Sequence, residues 1–476
     1  MKRKKMYSRI AKRIASGLAF VGVTASGNVV AAQGHHHHQG HQSAPKAHVI
    51  EHEKREWDLG GGWKLGSQGG VSFIHPDNAD YWFKLSGLLR LDSTLFMGSA
   101  RDKMGDFPSG SKIRVAELYF DGGVGPDWDY TLALSFTGPG TVSISDTWIA
   151  YSGFLPNNQV FFGRVQGNWF GLDNSNSGSW NPFLERSLVT RAFGPEPGLG
   201  VMTDMWWDQG AVTLSVMAPD HMASWAQTKR DRWHGTLRGT FAPVHELGDV
   251  WHFGVSGAYA EFESTLANTA FDVGSGGAIA VGRPIMGPSF KVGPGGVARN
   301  TADLVNTTTG NPNYTSVVNG QLQHSVIRAN NVRSFNIEAA RQCGPWMLEG
   351  DYTTVYVHRV GDPTGTLTFD GWNLQTRYLL TGEAHEYDVR DGSFGSVKPN
   401  HSYGAWEIAA RYDGVNLNNK NLRGGSERNV SLGLNWFYTD NIRVSLNYIR
   451  AAIHPANDAP KRNLDIVGMR VQLRFK

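Results

Sequence analysis

Apolar and polar residues trade places along most of this chain. From Tyr81, the side chains of Tyr81, Phe83, Leu85, Leu89, Leu91 and Leu95 fall on one face, and those of Lys84, Ser86, Arg90, Asp92 and Thr94 on the other. A repeat of two residues is the mark of a strand, whose successive side chains point to opposite faces. The pattern returns at Tyr130, Leu132, Leu134 and Phe136, at Trp251, Phe253 and Val255, at Trp406, Ile408 and Tyr412, at Val430 to Tyr438 and at Ile442 to Tyr448. It closes the chain, with Met469, Val471, Leu473 and Phe475 alternating with Arg470, Gln472 and Arg474. Strands are expected to begin near Tyr81, Lys112, Asp129, Ser143, Gln159, Gly200, Ala211, His234, Trp251, Ser334, Trp346, Gly371, Ala405, Asn429, Ile442 and Leu464. That makes about sixteen, or eighteen if the stretch 263–333 hides another hairpin.

The connections alternate as well. Short turns stand at Pro126-Asp127, Asp208-Gln209-Gly210, Gly344-Pro345 and Thr439-Asp440-Asn441, with longer polar loops between them, notably 166–199 and 263–333. Aromatics such as Tyr81, Phe136, Trp251 and Tyr438 sit at segment ends, where a membrane interface favours them. The pattern predicts an all-β fold: a transmembrane antiparallel β-barrel with short periplasmic turns and long extracellular loops. An even strand count brings both ends of the barrel to one side. Sixteen strands leave an aqueous channel.

Composition sharpens this picture. A chain of 476 residues suggests about three soluble domains by length alone. Yet only 18% of residues are charged, 11% are aromatic and glycine is abundant, as expected where lipid-facing and lumen-facing residues alternate. The single Cys343 excludes an intramolecular disulfide. Lys2, Arg3, Lys4, Lys5, Arg9, Lys12 and Arg13 precede an apolar stretch that ends in Val30-Ala31-Ala32, the layout of a secretory signal peptide. The expected organisation is therefore a signal peptide at 1–32, a His-rich periplasmic tail and lead-in at 33–80, and an outer-membrane barrel at 81–476. Setting the seven basic leader residues aside from 45 leaves 38 Lys and Arg against 42 Asp and Glu, a net charge of −4. Nucleic-acid binding loses its electrostatic support. His35, His36, His37, His38 and His41 in the tail are candidates for loose capture of a transition metal, against the plainer reading of a linker. No cofactor is expected.

Several segments carry a resemblance. They are Lys112-Ile113-Arg114-Val115-Ala116-Glu117-Leu118-Tyr119-Phe120-Asp121-Gly122, Phe183-Leu184-Glu185-Arg186-Ser187-Leu188, and Gly344-Pro345-Trp346-Met347-Leu348-Glu349-Gly350-Asp351-Tyr352. To these are added Tyr378-Leu379-Leu380-Thr381-Gly382-Glu383, Gly392-Ser393-Phe394-Gly395, Gly404-Ala405-Trp406-Glu407-Ile408-Ala409-Ala410-Arg411-Tyr412 and Gly433-Leu434-Asn435-Trp436-Phe437. Together they resemble the phosphate-selective porin O and P family from about Lys112 to the C-terminus. The resemblance implies a homotrimeric sixteen-stranded pore in outer-membrane lipid, with the third loop folded inward, passing small anionic or neutral solutes. The chain departs from that pattern at Val115 and Glu117, where members often carry more Arg, and in ending Phe475-Lys476.

A pore selects by width and by the charges on its walls. Alternation places Lys84, Arg90, Arg238, Arg377, Arg411, Arg443, Arg470 and Arg474 in the lumen, together with acidic residues that include Asp92, Glu117, Asp121, Asp129, Glu338, Glu349, Asp351, Glu407 and Asp413. Closing the barrel gathers Arg443, Arg470, Arg474, Lys84 and Arg90 into a basic wall, while Glu338, Glu349 and Asp351 form an acidic wall elsewhere. A field across the lumen would let anions track the arginines; the plainer reading is that these charges hold loops in place. In the third loop, Glu185 and Arg186 read as anchors and Arg191 as a pore-facing charge, with Trp169, Phe170, Trp180 and Phe183 packing the loop. A general diffusion pore or a surface antigen is the alternative function. A hydrolase is disfavoured, because no G-x-S-x-G motif occurs.

Overall fold

The computed structural model describes residues 56–475, excluding 61–62, 67–70, 75–79, 104–106, 139–140, 166–169, 196–197, 219–230, 263–287, 289, 296–303, 308–314, 319–320, 325–326, 328 and 360–363. The leader and the histidines of the tail, His35 to His38 and His41, lie outside the described residues, as does Trp169. Sixteen antiparallel strands close into a barrel: β1 (Tyr81–Met97), β2 (Gly110–Val124), β3 (Trp128–Gly138), β4 (Thr141–Tyr151), β5 (Asn158–Val165), β6 (Gly198–Trp207), β7 (Gly210–Ala218) and β8 (Asp231–Glu246), followed by β9 (Asp249–Phe262), β10 (Ala329–Cys343), β11 (Trp346–Arg359), β12 (Leu367–Leu379), β13 (Ala405–Asn419), β14 (Leu422–Phe437), β15 (Ile442–His454) and β16 (Arg462–Phe475). Each pairs with its neighbours in sequence, and β16 pairs with β1 from Asp465↔Met97 to Phe475↔Gly87. Closure removes the sheet edges that an open sheet would expose to lipid.

The expected strands are found. The largest offset is at β14, expected at Asn429 and beginning at Leu422, seven residues earlier. Between β9 and β10 the described residues form two small hairpins, Lys291–Val292 with Val305–Asn306 and Thr315–Val318 with Gln321–His324, which pair outside the barrel sheet. The eighteen-strand alternative therefore falls away. The lead-in is itself stranded: Glu56–Gly60, Trp63–Gly66 and Val71–Ile74 form a meander whose last strand pairs with β1 at Trp82 to Leu85. It extends the sheet beyond the end of β16.

The two faces of the wall differ as the alternation requires. Outward rows are apolar, for example Leu432–Tyr448–Val467–Leu95 across β14, β15, β16 and β1, and Leu434–Leu446–Met469 across β14, β15 and β16. Large apolar side chains stay exposed on this face, Leu446 by 48% and Val255 by 61%. Such a continuous apolar surface belongs against lipid. Around the rim that carries both ends of the barrel, Tyr81, Trp128, Trp207, Trp251, Trp346, Tyr378, Tyr438 and Phe475 are exposed as a girdle. The inward rows are polar through the middle of the wall, as in Asn435–Ser445–Arg470–Asp92.

Two features break the simple plan. The connection 380–404, between β12 and β13, lies on the rim of short turns but runs to twenty-five residues and folds into the lumen. Short turns on that rim are thus the rule with one exception. At the opposite rim the inward faces turn apolar: Val355, Val357, Leu367, Phe369, Val415 and Leu417 are buried. Phe193 and Phe290 join Phe369 there, their rings 5.6 and 5.5 Å apart in sequence. The segment around Phe290 thus lids the lumen with a core like that of a soluble domain.

Candidate functional site, a constricted lumen

Strand register builds the basic side of the lumen. Arg443 on β15 is opposite Gln472 on β16, which is opposite Arg90 on β1. The neighbouring inward row holds Arg470 opposite Asp92, and Arg474 lies beyond Gln472 on the same face. Arg377 on β12 and Arg411 on β13 continue this side, and Lys84 extends it towards the strand ends on β1. Seven of the eight basic residues read from the sequence thus point inward on the contiguous arc β12 to β16 and β1, and the eighth, Arg238, points inward from β8.

The connection between β5 and β6, described over residues 170–195, folds into this lumen. Its local sequence explains how it holds a shape. Ser187 caps the short helix Leu188–Phe193, its side chain accepting from Thr190 N. Asp173 accepts from Ser187 N at 3.0 Å and Ser187 Oγ at 2.9 Å. Burial raises the Asp173 carboxyl, but Arg186 and Arg411, with hydrogen bonds from Thr190 and Ser187, outweigh it and hold the group below the usual carboxylate range. Arg186 donates to the carbonyls of Asp173 and Asn176 within the same loop. Phe170, Trp180 and Phe183 are buried.

The wall grips the loop by its backbone. Arginines take its carbonyls: Arg443 donates to Ser179 O at 2.9 Å and Asn181 O at 2.6 Å, Arg411 to Glu185 O at 3.1 Å, and Arg377 to Trp180 O at 3.3 Å. Carboxylates take its amides: Asp413 accepts from Leu188 N at 2.6 Å, and Asp351 from Asp173 N at 3.4 Å. Arg90 donates to Ser179 Oγ and Gln472, and the Arg474 guanidinium lies 4.7 Å over Trp180. A charge-assisted hydrogen bond contributes about 1.5–3 kcal/mol, so the loop is pinned to the wall at several points along its backbone.

The separation into a basic and an acidic wall is therefore incomplete. Arg377 donates to Glu349 at 2.9 and 3.0 Å, joining the two sides. Arg470 and Asp92 form a bidentate pair at 2.7 and 2.8 Å. Glu338 receives Arg238 at 2.6 Å and lies 3.1 Å from His252, whose other ring nitrogen is 2.7 Å from the Tyr387 hydroxyl. Asp351 accepts from Asn373 at 2.6 Å. Glu185 reaches Arg114 at 3.5 Å, and Arg191 donates to Gly293 O at 2.5 Å.

Arg114 and Arg390 were not singled out by alternation. A bulge between Arg90 and Leu91 of β1 sets Val115 and Ile113 as their successive partners on β2. Arg114 is the extra residue, and it turns inward to Asp92 and Glu185. Arg390 belongs to the inserted connection 380–404. It donates to Gln159 at 2.5 Å, lies 3.5 Å from Asp204 and stacks 4.6 Å over Trp206. Beside it, burial and then Asp388 push the Asp391 carboxyl well above its usual range. Arg238 donates to the carbonyls of Asp391 and Gly392, and Phe394 N donates to Asn176 of the third loop at 2.9 Å. The two inserted segments thus meet inside the barrel.

A closed barrel with a lipid-facing apolar band, a polar lumen and an inward-folded third loop defines an outer-membrane porin, a channel rather than a soluble binding protein. The family model described as phosphate-selective porin O and P matches residues 83–283 and 304–475, and the chain belongs to that family. It is similar to porin O of Pseudomonas aeruginosa, at 28% identity over 81% of this chain and 86% of the relative. Among solved structures it is similar in fold to a loop-deletion mutant of OmpT, an outer-membrane protein of Vibrio cholerae, with a TM-score of 0.50 and 11% identity over 83% of this chain and 99% of that one. The rim carrying both ends is then periplasmic, and the lidded rim extracellular.

Proposed function

We propose that this porin passes small anions, phosphate among them, along the arginine side of the third loop. The observation that carries the reading is the inward arc Arg377, Arg411, Arg443, Arg470, Arg474, Arg90 and Lys84, gathered by strand register on one side of the lumen. Arg377, Arg411, Arg443 and Arg470 are held by loop carbonyls and carboxylates and set the field. Arg90, Arg474 and Lys84, on β1 and β16, are the direct contacts for an oxyanion. Guanidinium forks suit the oxygens of phosphate, and low-dielectric walls strengthen their field. In the constriction loop Glu185 and Arg186 act as anchors, and Arg191 is the charge met from the extracellular side. Glu349 and Asp351 hold the loop in place through Asn176 and Asp173, and Glu338 holds Arg238 and His252.

Reversal potentials in asymmetric phosphate and in asymmetric chloride test the reading. Anions are expected to dominate, and Arg90→Gln with Arg474→Gln should lower the anion-to-cation permeability ratio roughly threefold or more. A wild-type ratio near one favours a general diffusion pore instead. Assembly as a homotrimer belongs to the same proposal: β3 to β7 are only 8 to 11 residues long against 13 to 17 elsewhere, a low stretch of wall suited to a neighbouring copy. A monomer mass by light scattering in detergent would refute it. Residues 1–32 are proposed as the cleaved leader, so the mature protein should begin at Gln33 by N-terminal sequencing.

A further inference from the structure

Arg428 on β14 faces outward and is exposed, and no carboxylate pairs with it among the described residues. It stands eight residues from Trp436 of the periplasmic end. Eight residues of a tilted strand climb roughly 20 Å, close to the outer edge of an apolar band about 25 Å tall. Its partners across the sheet are Gly414 on β13 and Ala452 on β15, which are too small to cover it. Arg450 lies diagonally from it on β15, opposite Val430, so the two guanidinium groups can reach one ligand. Asp465 takes Arg450 Nη1 at 2.5 Å and the Tyr448 hydroxyl at 2.7 Å, which occupies both carboxylate oxygens and leaves the rest of that guanidinium open. Around the extracellular ends of β14 to β16 the outward or exposed charges are Arg423, Arg428, Arg450 and Lys461 against Asp458 and Asp465, an excess of two positive charges. Asp370, the next acid on this face, lies two strands from Arg428 and is hydrogen-bonded by Asn416.

What covers this face is lipid, so the ligand that fits is the part of a lipid that carries negative charge. Towards the bilayer centre from the arginines, Tyr412, Val430, Leu432 and Leu434 are exposed, a strip on which acyl chains can lie. The Trp372 indole rests against Gly414, with the Tyr412 ring 4.7 Å from it, and aromatic rings of this kind collect at the headgroup level. Guanidinium forks suit phosphate oxygens. We propose that Arg428 and Arg450 form a seat for the phosphate of an outer-leaflet lipid, whose chains run down the strip on β14. A free phosphate ion meets the same two charges but gains nothing from the apolar strip, so the lipid is the favoured occupant. The seat is outside the lumen and stands or falls apart from the anion pathway.

The test uses the full-length protein in a neutral detergent, with bound lipid counted by native mass spectrometry. Dimyristoyl phosphatidic acid should be retained at roughly tenfold lower concentration than diacylglycerol of the same chains. Arg428→Gln, which breaks no ion pair, should weaken phosphatidic acid retention roughly threefold or more. Arg428→Gln with Arg450→Gln should remove one phosphatidic acid per protomer and leave diacylglycerol retention as it was, with the gel mobility of the folded barrel as the check on folding. Excess inorganic phosphate should not displace the lipid. Equal retention of the two lipids by the wild type overturns the proposal, as does an unchanged lipid count in the double variant. Displacement by inorganic phosphate overturns it too, because the site would then belong to a soluble ion.

Discussion

Arg377 and Glu349 face each other diagonally across β12 and β11, both nearly inaccessible to solvent. The carboxylate also accepts from Gln375 and Asn176, and the guanidinium holds Trp180 O. A buried pair of this kind contributes little relative to a well-packed apolar pair, yet losing one member leaves the other charge stranded. Arg377→Met is therefore expected to destabilise the barrel by about 3 kcal/mol, and the double variant with Glu349→Leu to recover most of that loss. Chemical denaturation in lipid vesicles, followed by the gel mobility of the folded barrel, measures both. Equal losses in the single and double variants would show that the stranded Glu349 carboxylate is not the source of the loss. At this scale the sequence told which side chains point inward but not which partner each would take. Glu349 read as part of an acidic wall and Arg377 only as a lumen-facing charge, because period-two reasoning gives the face of a side chain and not its partner. Arg114 was missed because one bulged residue reverses the parity of everything beyond it.

Among the elements, the strands were legible and the inserted connections were not. A strand repeats its message every two residues, so sixteen segments could be placed from alternation alone. The connection 380–404 has no period, and its polar composition is that of a surface loop. Its position comes from contacts far apart in sequence: Arg390 with Gln159 and Asp204, Gln342 with His385 O at 2.9 Å, and His385 with Glu407 at 2.6 Å. Gly382 and Gly392 supply its positive-φ corners, at 92° and 52°, where a side chain would be strained. This connection folds into the lumen beside the third loop, so it is expected to narrow the passage. Replacing residues 384–402 with a tight turn should raise single-channel conductance roughly twofold while leaving the barrel folded. An unchanged conductance in a folded variant would mean that the segment lies off the conducting path. The third loop was placed correctly only through its resemblance to a family. Its own residues say that it packs, through Trp180 and Phe183, but not against which wall.

The whole molecule is set by two solvents. Lipid selects the outward rows and water the middle inward rows, and the register joins them so that each strand serves both. On β15, Val444 and Leu446 face outward, then Tyr448 and Arg450, while Arg443, Ser445 and Asn447 face inward. Leu446 lies in the outward row Leu434–Leu446–Met469, between the periplasmic Trp436–Val444–Val471 row and the Tyr448 row. Arg450, two residues beyond Tyr448, pairs with Asp465 at 2.5 Å and is half exposed, which marks where the apolar band gives way to the extracellular interface. A charge therefore has a depth-dependent cost on this face. Leu446→Arg should destabilise the barrel by about 2–4 kcal/mol, whereas Ala452→Arg, one row beyond Arg450, should cost less than about 1 kcal/mol. Reversible folding into vesicles of thin-chain lipid gives both numbers on one scale. If the two substitutions cost the same, the row of Leu446 does not lie at the bilayer centre. The band would then have to be shifted along the strands, and the periplasmic girdle of Trp251, Trp346 and Tyr438 would no longer sit at an interface. Depth, girdle and register are one geometric statement, so a single pair of variants on β15 tests the placement of the entire barrel.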